Sequence, residues 1–241
     1  MERLDKVLVN KRLGSRKEVH CIIKKGAVSV NGVTVTDKNT KIDNTMEVMV
    51  AGKKLNLSDF VYIVMNKPKG VVSATKDKCK TVFDLLNDEY KQNDLFLVGR
   101  LDKDTTGLIL ITNDGKFGSY VLSPKHHVAK KYYVEVIGEL EEKHIDVFLK
   151  GIVFKDYTSK EAKLEIICKK VNGVSKCYVT ITEGKFHQVK KMFASIGCEV
   201  VNLKRVTFGE IDLDENLQEG EYRYADTMEL EFINKVKKSF K

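Results

Sequence analysis

Apolar residues recur at helical spacing at Val19, Ile22 and Ile23, behind Ser15 and Glu18 and ahead of Gly26. Serine followed three residues later by glutamate is a capping box, and glycine is a common helix stop, so the pattern predicts a short amphipathic helix ending at Gly26. At 100° per residue, Arg16, Lys17 and Lys24 fall opposite the apolar stripe, which sets one face against a core and turns a basic face to solvent. Two β-type runs follow, Ala27-Val28-Ser29-Val30 and Val33-Thr34-Val35, on either side of Asn31-Gly32. That dipeptide favours the positive φ angles of a tight hairpin turn. The first quarter of the chain therefore predicts two short helices and a small sheet. A polar stretch from Ala51-Gly52-Lys53-Lys54 to Ser58-Asp59 predicts a linker and divides the chain into residues 1–57 and 60–241.

Beyond it, Tyr62-Ile63-Val64-Met65 predicts a strand, interrupted at Asn66-Lys67-Pro68-Lys69-Gly70 and resumed at Val71-Val72. Further strands are expected at Tyr132 to Val136, Lys163 to Ile167, Cys177 to Ile181 and Glu229 to Phe232. Helices are expected at Thr81 to Leu86, Glu141 to Leu149 and His187 to Ile196. The elements interleave without regular strand-helix alternation. This predicts an α+β domain whose mixed, mainly antiparallel sheet is flanked by helices, and argues against a doubly wound parallel sheet. The Lys-rich end from Lys235 to Lys241 reads as a solvated tail.

Composition narrows the class of protein. The chain has 241 residues, 42% hydrophobic and 32% charged, enough for one sizeable domain and a small one with packed cores. From Met1 to Ser58, 12 Lys and Arg stand against 6 Asp and Glu, a difference of +6; the remaining 30 against 28 leave +2, which together make the net +8. Positive charge concentrated in a small domain is the footprint of a surface that meets phosphates. Five cysteines, odd in number and never spaced C-x-x-C, support neither a disulfide framework nor a zinc knuckle. The chain opens on charged residues and carries no apolar run approaching the ~18 residues of a membrane span. A reducing, cytoplasmic setting is expected.

The segment Val98-Gly99-Arg100-Leu101-Asp102-Lys103-Asp104-Thr105-Thr106-Gly107-Leu108 sets a carboxylate in a glycine-flanked stretch that leads into a buried element. Two rival readings are weak. A calcium loop starting at Asp102 has Thr106 at its fifth position and Asn113 at its twelfth, where a bidentate glutamate is wanted. A magnesium-dependent phosphoryl transferase built on Asp102, Asp104 and Asp114 lacks a Gly-x-x-x-x-Gly-Lys loop. A second segment, Ile181-Thr182-Glu183-Gly184-Lys185-Phe186-His187-Gln188-Val189-Lys190-Lys191-Met192-Phe193, opens a helix. Its apolar stripe of Val189, Met192, Phe193 and Ile196 leaves Lys190 about 100° from the stripe's centre, able to reach a cleft edge. Lys130-Lys131-Tyr132-Tyr133-Val134 would send its two tyrosines to opposite faces of a strand.

These three segments resemble the motifs of the RsuA-type pseudouridine synthases, and Arg3-Leu4-Asp5-Lys6 through Ser15-Arg16 to Gly26-Ala27-Val28-Ser29-Val30-Asn31-Gly32 resembles the S4 RNA-binding domain. The resemblance implies an isomerase that flips a uridine out of folded ribosomal RNA and turns it into pseudouridine. The implied substrate is 16S RNA of an assembling small-subunit particle, at the uridine-516 site. The alternatives are a large-subunit (23S) target or a non-catalytic RNA-binding assembly factor. By the same resemblance Asp102 is the catalytic carboxylate, Arg100 and Lys190 hold its charge and position, and Tyr132 stacks on the base and removes the C5 proton. Lys67, Thr105, His187 and Gln188 are substrate-binding candidates. Arg3, Lys6, Arg12, Arg16, Lys17, Lys24 and Lys25 are RNA-binding candidates on the S4 segment. The adjacent His126 and His127, with no acid or cysteine at ligand spacing beside them, point to RNA contact rather than metal. No metal, no cofactor and no membrane are implied, and a monomer is expected.

Overall fold

The computed structural model describes residues 1–11, 13–43, 45–55, 57, 60–87, 90, 95–171 and 173–240. Arg12, and Ser58 and Asp59 of the expected linker, lie outside the described residues. The chain divides into two compact units, Met1–Asp59 and Phe60–Lys241.

In the first unit, β1 (Glu2–Arg3) leads into α1 (Leu4–Asn10), and α2 (Arg16–Lys24) is the helix that begins at the capping box. The Ser15 N–H donates to Glu18 Oε2 at 2.7 Å and the Glu18 N–H to Ser15 Oγ at 3.4 Å, so both ends of the reciprocal pair are made. β2 (Val28–Val30) and β3 (Val33–Thr34) form the expected hairpin, with Asn31 at φ 49° and Gly32 at φ 79°. β4 (Lys41–Ile42) pairs with β1, and β5 (Val48–Val50) and β6 (Lys53–Leu55) complete a sheet of order β3-β2-β5-β6. Lys53 to Leu55 is therefore strand and not linker. Ala51 and Gly52 take positive φ, as a two-residue hairpin turn requires, and return the chain onto β5. Leu4, Leu8, Val19, Ile23, Val28, Ile42 and Val48 close the core beneath.

The second unit runs β7 (Tyr62–Lys67), a 3-10 turn (Val82–Leu85), β8 (Phe96–Val98), β9 (Thr106–Thr112), α3 (Gly115–Leu122), β10 (Lys130–Ile137) and α4 (Glu142–Lys150). It continues with β11 (Lys163–Val171), β12 (Val174–Ile181), α5 (Gln188–Ser195), β13 (Glu199–Phe208), β14 (Ile211–Asp212), β15 (Tyr222–Tyr224) and α6 (Thr227–Lys238). The sheet order is β11-β12-β10-β13-β9-β7-β15, with β8 on β9 and β14 on β13, and antiparallel except where β13 meets β9. The sheet is mixed and mainly antiparallel, as the pattern predicts.

Period-2 alternation sorts the central strands between two cores. Ile63, Met65, Ile109, Ile111, Tyr132 and Val134 face the core that receives Phe148 of α4 and Met192 and Phe193 of α5. Tyr62, Val64, Leu108 and Leu110 face the core that receives Phe117 and Val121 of α3 and Phe232, Ile233 and Val236 of α6. With both faces covered, β7 and β9 are buried along their whole length, which is why each holds four consecutive apolar residues, Tyr62 to Met65 and Leu108 to Ile111.

Three expectations are corrected here. Glu229 to Phe232 is helix, not strand. Asp226 and Glu229 form a capping box at the start of α6, and burial of Phe232, Ile233 and Val236 follows helical spacing. Lys235 to Lys238 belong to the same helix rather than to a tail. Val71-Val72 does not resume a strand; Val72 makes a single bridge to Thr81.

Candidate active site

The segment that carries Asp102 is tied down from beneath by the turn that follows β7. Ser73 Oγ donates to the Leu101 carbonyl at 2.7 Å and accepts from the Leu101 N–H at 3.1 Å. The Gly70 N–H donates to the Lys103 carbonyl at 2.7 Å, and the Thr105 N–H closes a turn onto the Asp102 carbonyl at 3.1 Å. Lys67 completes the clamp: its ammonium donates to the carbonyls of Thr105 at 2.8 Å and Pro68 at 3.1 Å. Lys67 is fully buried with its ammonium on these carbonyls, so in the free protein it holds the loop. Burial pulls its pKa down to about 8, against the opposing pull of Asp104 and Asp102. Gly107 finishes the loop at φ 100°, where β9 runs beside β13. A Cβ there would strike the Arg205 carbonyl oxygen and stand 2.8 Å from its nitrogen, so only glycine fits.

The opposite wall is α5 and the loop before it. His187 takes a left-handed conformation, φ 52° and ψ 31°, and caps the helix. Its Nε2 lies 3.6 Å from Asp102 Oδ1, and Lys190 Nζ lies 3.6 Å from Asp102 Oδ2. Lys190 hydrogen-bonds elsewhere, donating to both oxygens of Asp104 at 2.6 and 2.7 Å. That bond is the main force holding the Asp104 carboxyl below its usual pKa. The expected pairing of Lys190 with Asp102 is thus a shared one, in which Asp104, unassigned by the sequence reading, takes the direct bonds. The acidic pair already carries an ammonium, and among the described residues no three His, Cys, Asp or Glu gather as a metal site.

Asp102, Arg100, Thr105, Tyr132, His187, Gln188 and Lys190 all line one cleft. Asp102 keeps 32% of its side chain exposed, so water reaches it. Tyr132 is buried in β10 with its ring against the larger core. Arg100 is exposed and, among the described residues, makes no ion pair with Asp102, whose carboxylate stands toward α5. Thr105 Oγ1 is buried at the cleft and has no hydrogen-bond partner among the described residues. The polar atoms of Gln188 are already used within the protein: Nε2 donates to Glu183 Oε1 at 2.6 Å and Oε1 accepts from the Lys185 N–H at 2.9 Å. Glu183, buried and also accepting the Lys160 N–H at 2.9 Å, was missed by the sequence reading. Its place two residues after β12 in the motif was the one available signal.

On the first unit, Arg16, Lys17, Lys24 and Lys25 are exposed. Arg3 and Lys6 are exposed as well, and each is paired, Arg3 with Asp5 at 2.6 Å and Lys6 with Glu2 at 3.0 Å. The bond from Arg3 brings the Asp5 pKa to about 2, helped by His20.

Residues 61–195 match the family model described as RNA pseudouridylate synthase, and residues 2–49 match the S4 domain. The chain belongs to the RNA pseudouridylate synthase family, enzymes that isomerise uridine in RNA. It is 45% identical over 237 residues to the uncharacterized RNA pseudouridine synthase YtzG of Bacillus subtilis, covering 96% of this chain and 98% of the relative. To the ribosomal small subunit pseudouridine synthase A of Vibrio cholerae it is 39% identical, covering 96% and 99%. To the ribosomal large subunit pseudouridine synthase B of Bacillus subtilis it is 35% identical, covering 88% of each chain. A crystal structure of a pseudouridylate synthase superposes with a TM-score of 0.67 at 35% identity, covering 97% of this chain and all of the other.

Proposed function

We propose that this enzyme isomerises one uridine of ribosomal RNA, in the 16S molecule of an assembling small-subunit particle, at the uridine-516 site. The observation that carries the catalytic part is the meeting of Asp102, Lys190, His187 and Tyr132 in one cleft, from segments far apart in the chain. Asp102 engages the uridine as its glycosidic bond breaks, Lys190 offsets negative charge at the carboxylate, and His187 stands 3.6 Å from its other oxygen. Tyr132 stacks on the extruded base, worth ~1–3 kcal/mol against the few kcal/mol of unstacking, and its hydroxyl oxygen accepts the C5 proton while passing its own proton to water once the ring is reattached through carbon. Arg100, exposed at the rim, contacts the RNA backbone. The first unit, residues 1–57, anchors the RNA through Arg16, Lys17, Lys24 and Lys25, whose heads are open to solvent. The enzyme acts as a cytoplasmic monomer; no helix among the described residues is long and apolar enough to cross a membrane.

The 16S assignment is favoured by higher identity to the Vibrio cholerae small-subunit synthase than to the Bacillus subtilis large-subunit synthase, 39% against 35%, with fuller coverage. Carbodiimide-dependent reverse-transcription stops, mapped on both rRNAs from a strain lacking the gene, test it. Loss of a single stop in 16S RNA is the expected result. Loss in 23S RNA moves the target to the large subunit, and an unchanged pattern in both removes rRNA as the substrate.

A further inference from the structure

Phe186 stands at the lip of the cleft with 74% of its surface exposed, among the most exposed large apolar residues of the chain. Its neighbours on both sides, Lys185 and His187, line the cleft itself. The left-handed turn at His187 folds two consecutive rings together: the imidazole lies 3.8 Å from the Phe186 ring at 18°, nearly parallel. One face of the phenyl is thereby braced, and most of the rest is open to water. Lys191 holds its ammonium 5.5 Å from the ring centroid, and Lys185 holds its own 3.8 Å from the ring of Tyr157. From Phe186 through His187 to Asp102 is a short line, since His187 Nε2 is 3.6 Å from the carboxylate.

An isolated apolar side chain at a surface needs no explanation in general. Here the ring is flat, supported from behind by His187, accompanied by the Lys191 ammonium and placed beside the position that receives an extruded nucleotide. Removing a base from a helical stack leaves the next base with one face bare. An aromatic ring between positive charges is the platform on which single-stranded bases stack, whatever their identity. Tyr132 is inside the cleft and serves the extruded base; Phe186 is outside it. We propose that Phe186 stacks on the nucleobase that flanks the target uridine and holds the strand open while the uridine occupies the cleft. The inference rests on isomerisation of uridine in RNA and is independent of which rRNA supplies it.

The chain has no tryptophan, so Phe186→Trp places a single fluorescent reporter at this position. Transcripts of 16S and 23S rRNA labelled with [5-³H]uridine serve as probes, with tritium release reporting turnover and tryptophan emission reporting stacking. Emission is expected to be quenched in step with RNA binding. Phe186→Leu, which keeps apolar volume but has no π face, is expected to lose roughly ten- to hundred-fold in kcat/KM. Phe186→Trp and Phe186→Tyr, which keep the face, retain most of it. An emission unchanged at saturating RNA, or a leucine variant that turns over like the parent, overturns the proposal. Which transcript the parent acts on reports the target separately, so an error in the 16S assignment leaves the comparison of leucine with aromatic variants intact.

Discussion

Replacing Lys67 by methionine separates a residue that holds the loop from one that touches RNA. Methionine keeps much of the stem's volume and removes the ammonium. In the folded protein that ammonium titrates at about 8, whereas an unperturbed lysine titrates near ~10.4; the gap corresponds to about 3 kcal/mol of unfavourable burial below pH 8. Against this relief, the carbonyls of Thr105 and Pro68 lose donors at 2.8 and 3.1 Å, at about 1–3 kcal/mol each. The two effects largely offset, so urea unfolding of Lys67→Met is expected within about 3 kcal/mol of the parent. The sign of the pH effect is a separate check. Between pH 8 and ~10.4 the unfolded chain binds the proton that the folded chain has released, so the parent gains stability as pH rises through that window, and Lys67→Met lacks the gain. Activity should respond far more than stability, because a displacement of the Asp102 loop by about an ångström costs on the order of 10²-fold in rate. Single-turnover tritium release and filter binding make the comparison. A large loss in rate with unchanged RNA affinity is expected. Weakened RNA binding with an unaltered rate would refute the clamp and return Lys67 to the substrate.

Other perturbations test other joints. Gly107→Ala forces a β-carbon against the backbone of Arg205 at a φ of 100° and should destabilise the second unit by about 2–5 kcal/mol, read by its urea midpoint; parental stability would show that the strands can part there. Glu183→Ala strands the Gln188 amide and the Lys160 N–H, and is expected to cost about 2 kcal/mol and slow turnover without changing the salt dependence of RNA binding. Asp5 has a pKa lowered to about 2 by Arg3 and His20. Its contribution is present above the unfolded value near ~3.9 and fades as pH falls toward 2, so the urea midpoint of the first unit should fall over that window in the parent, and Asp5→Asn should flatten the dependence. Changing Arg16, Lys17, Lys24 and Lys25 together to alanine should reduce the slope of log affinity against log salt by roughly 0.7–0.9 for each RNA phosphate that these side chains neutralise; an unaltered slope would remove α2 from the RNA interface.

Local chemistry was legible in the sequence, and long-range chemistry was not. The Ser15–Glu18 box and the Asn31-Gly32 turn are decided by residues within a few positions of each other, and both form as read. Glu229-Leu230-Glu231-Phe232 alternates like a strand, yet the capping residue Asp226 and the distant core that takes Ile233 and Val236 make it helix. β13 escaped notice because its pairing partners, β10 and β9, are remote in sequence and its polar residues interrupt the run. α3 carries Gly115 and Gly118, poor helix formers; Gly118 is there because a β-carbon would meet the ring of Phe96. Most of the cleft could be named from the sequence, since its motifs are contiguous. The loop-holding place of Lys67 went unread because a lysine bonded to carbonyls leaves no mark in the pattern of charges. Asp104 was unassigned because nothing local says which of two nearby carboxylates takes the bonds of Lys190.

The central claim is that the Asp102 carboxylate performs the isomerisation. Asp102→Asn keeps the side chain's size and removes its charge, on a residue that is partly exposed and, among the described residues, bonds no core group through its side chain. Tritium release from [5-³H]uridine-labelled rRNA transcripts, measured beside filter binding of the same RNA, decides the matter. The account predicts that release is abolished while affinity stays close to the parent's; release at the parental rate would contradict it.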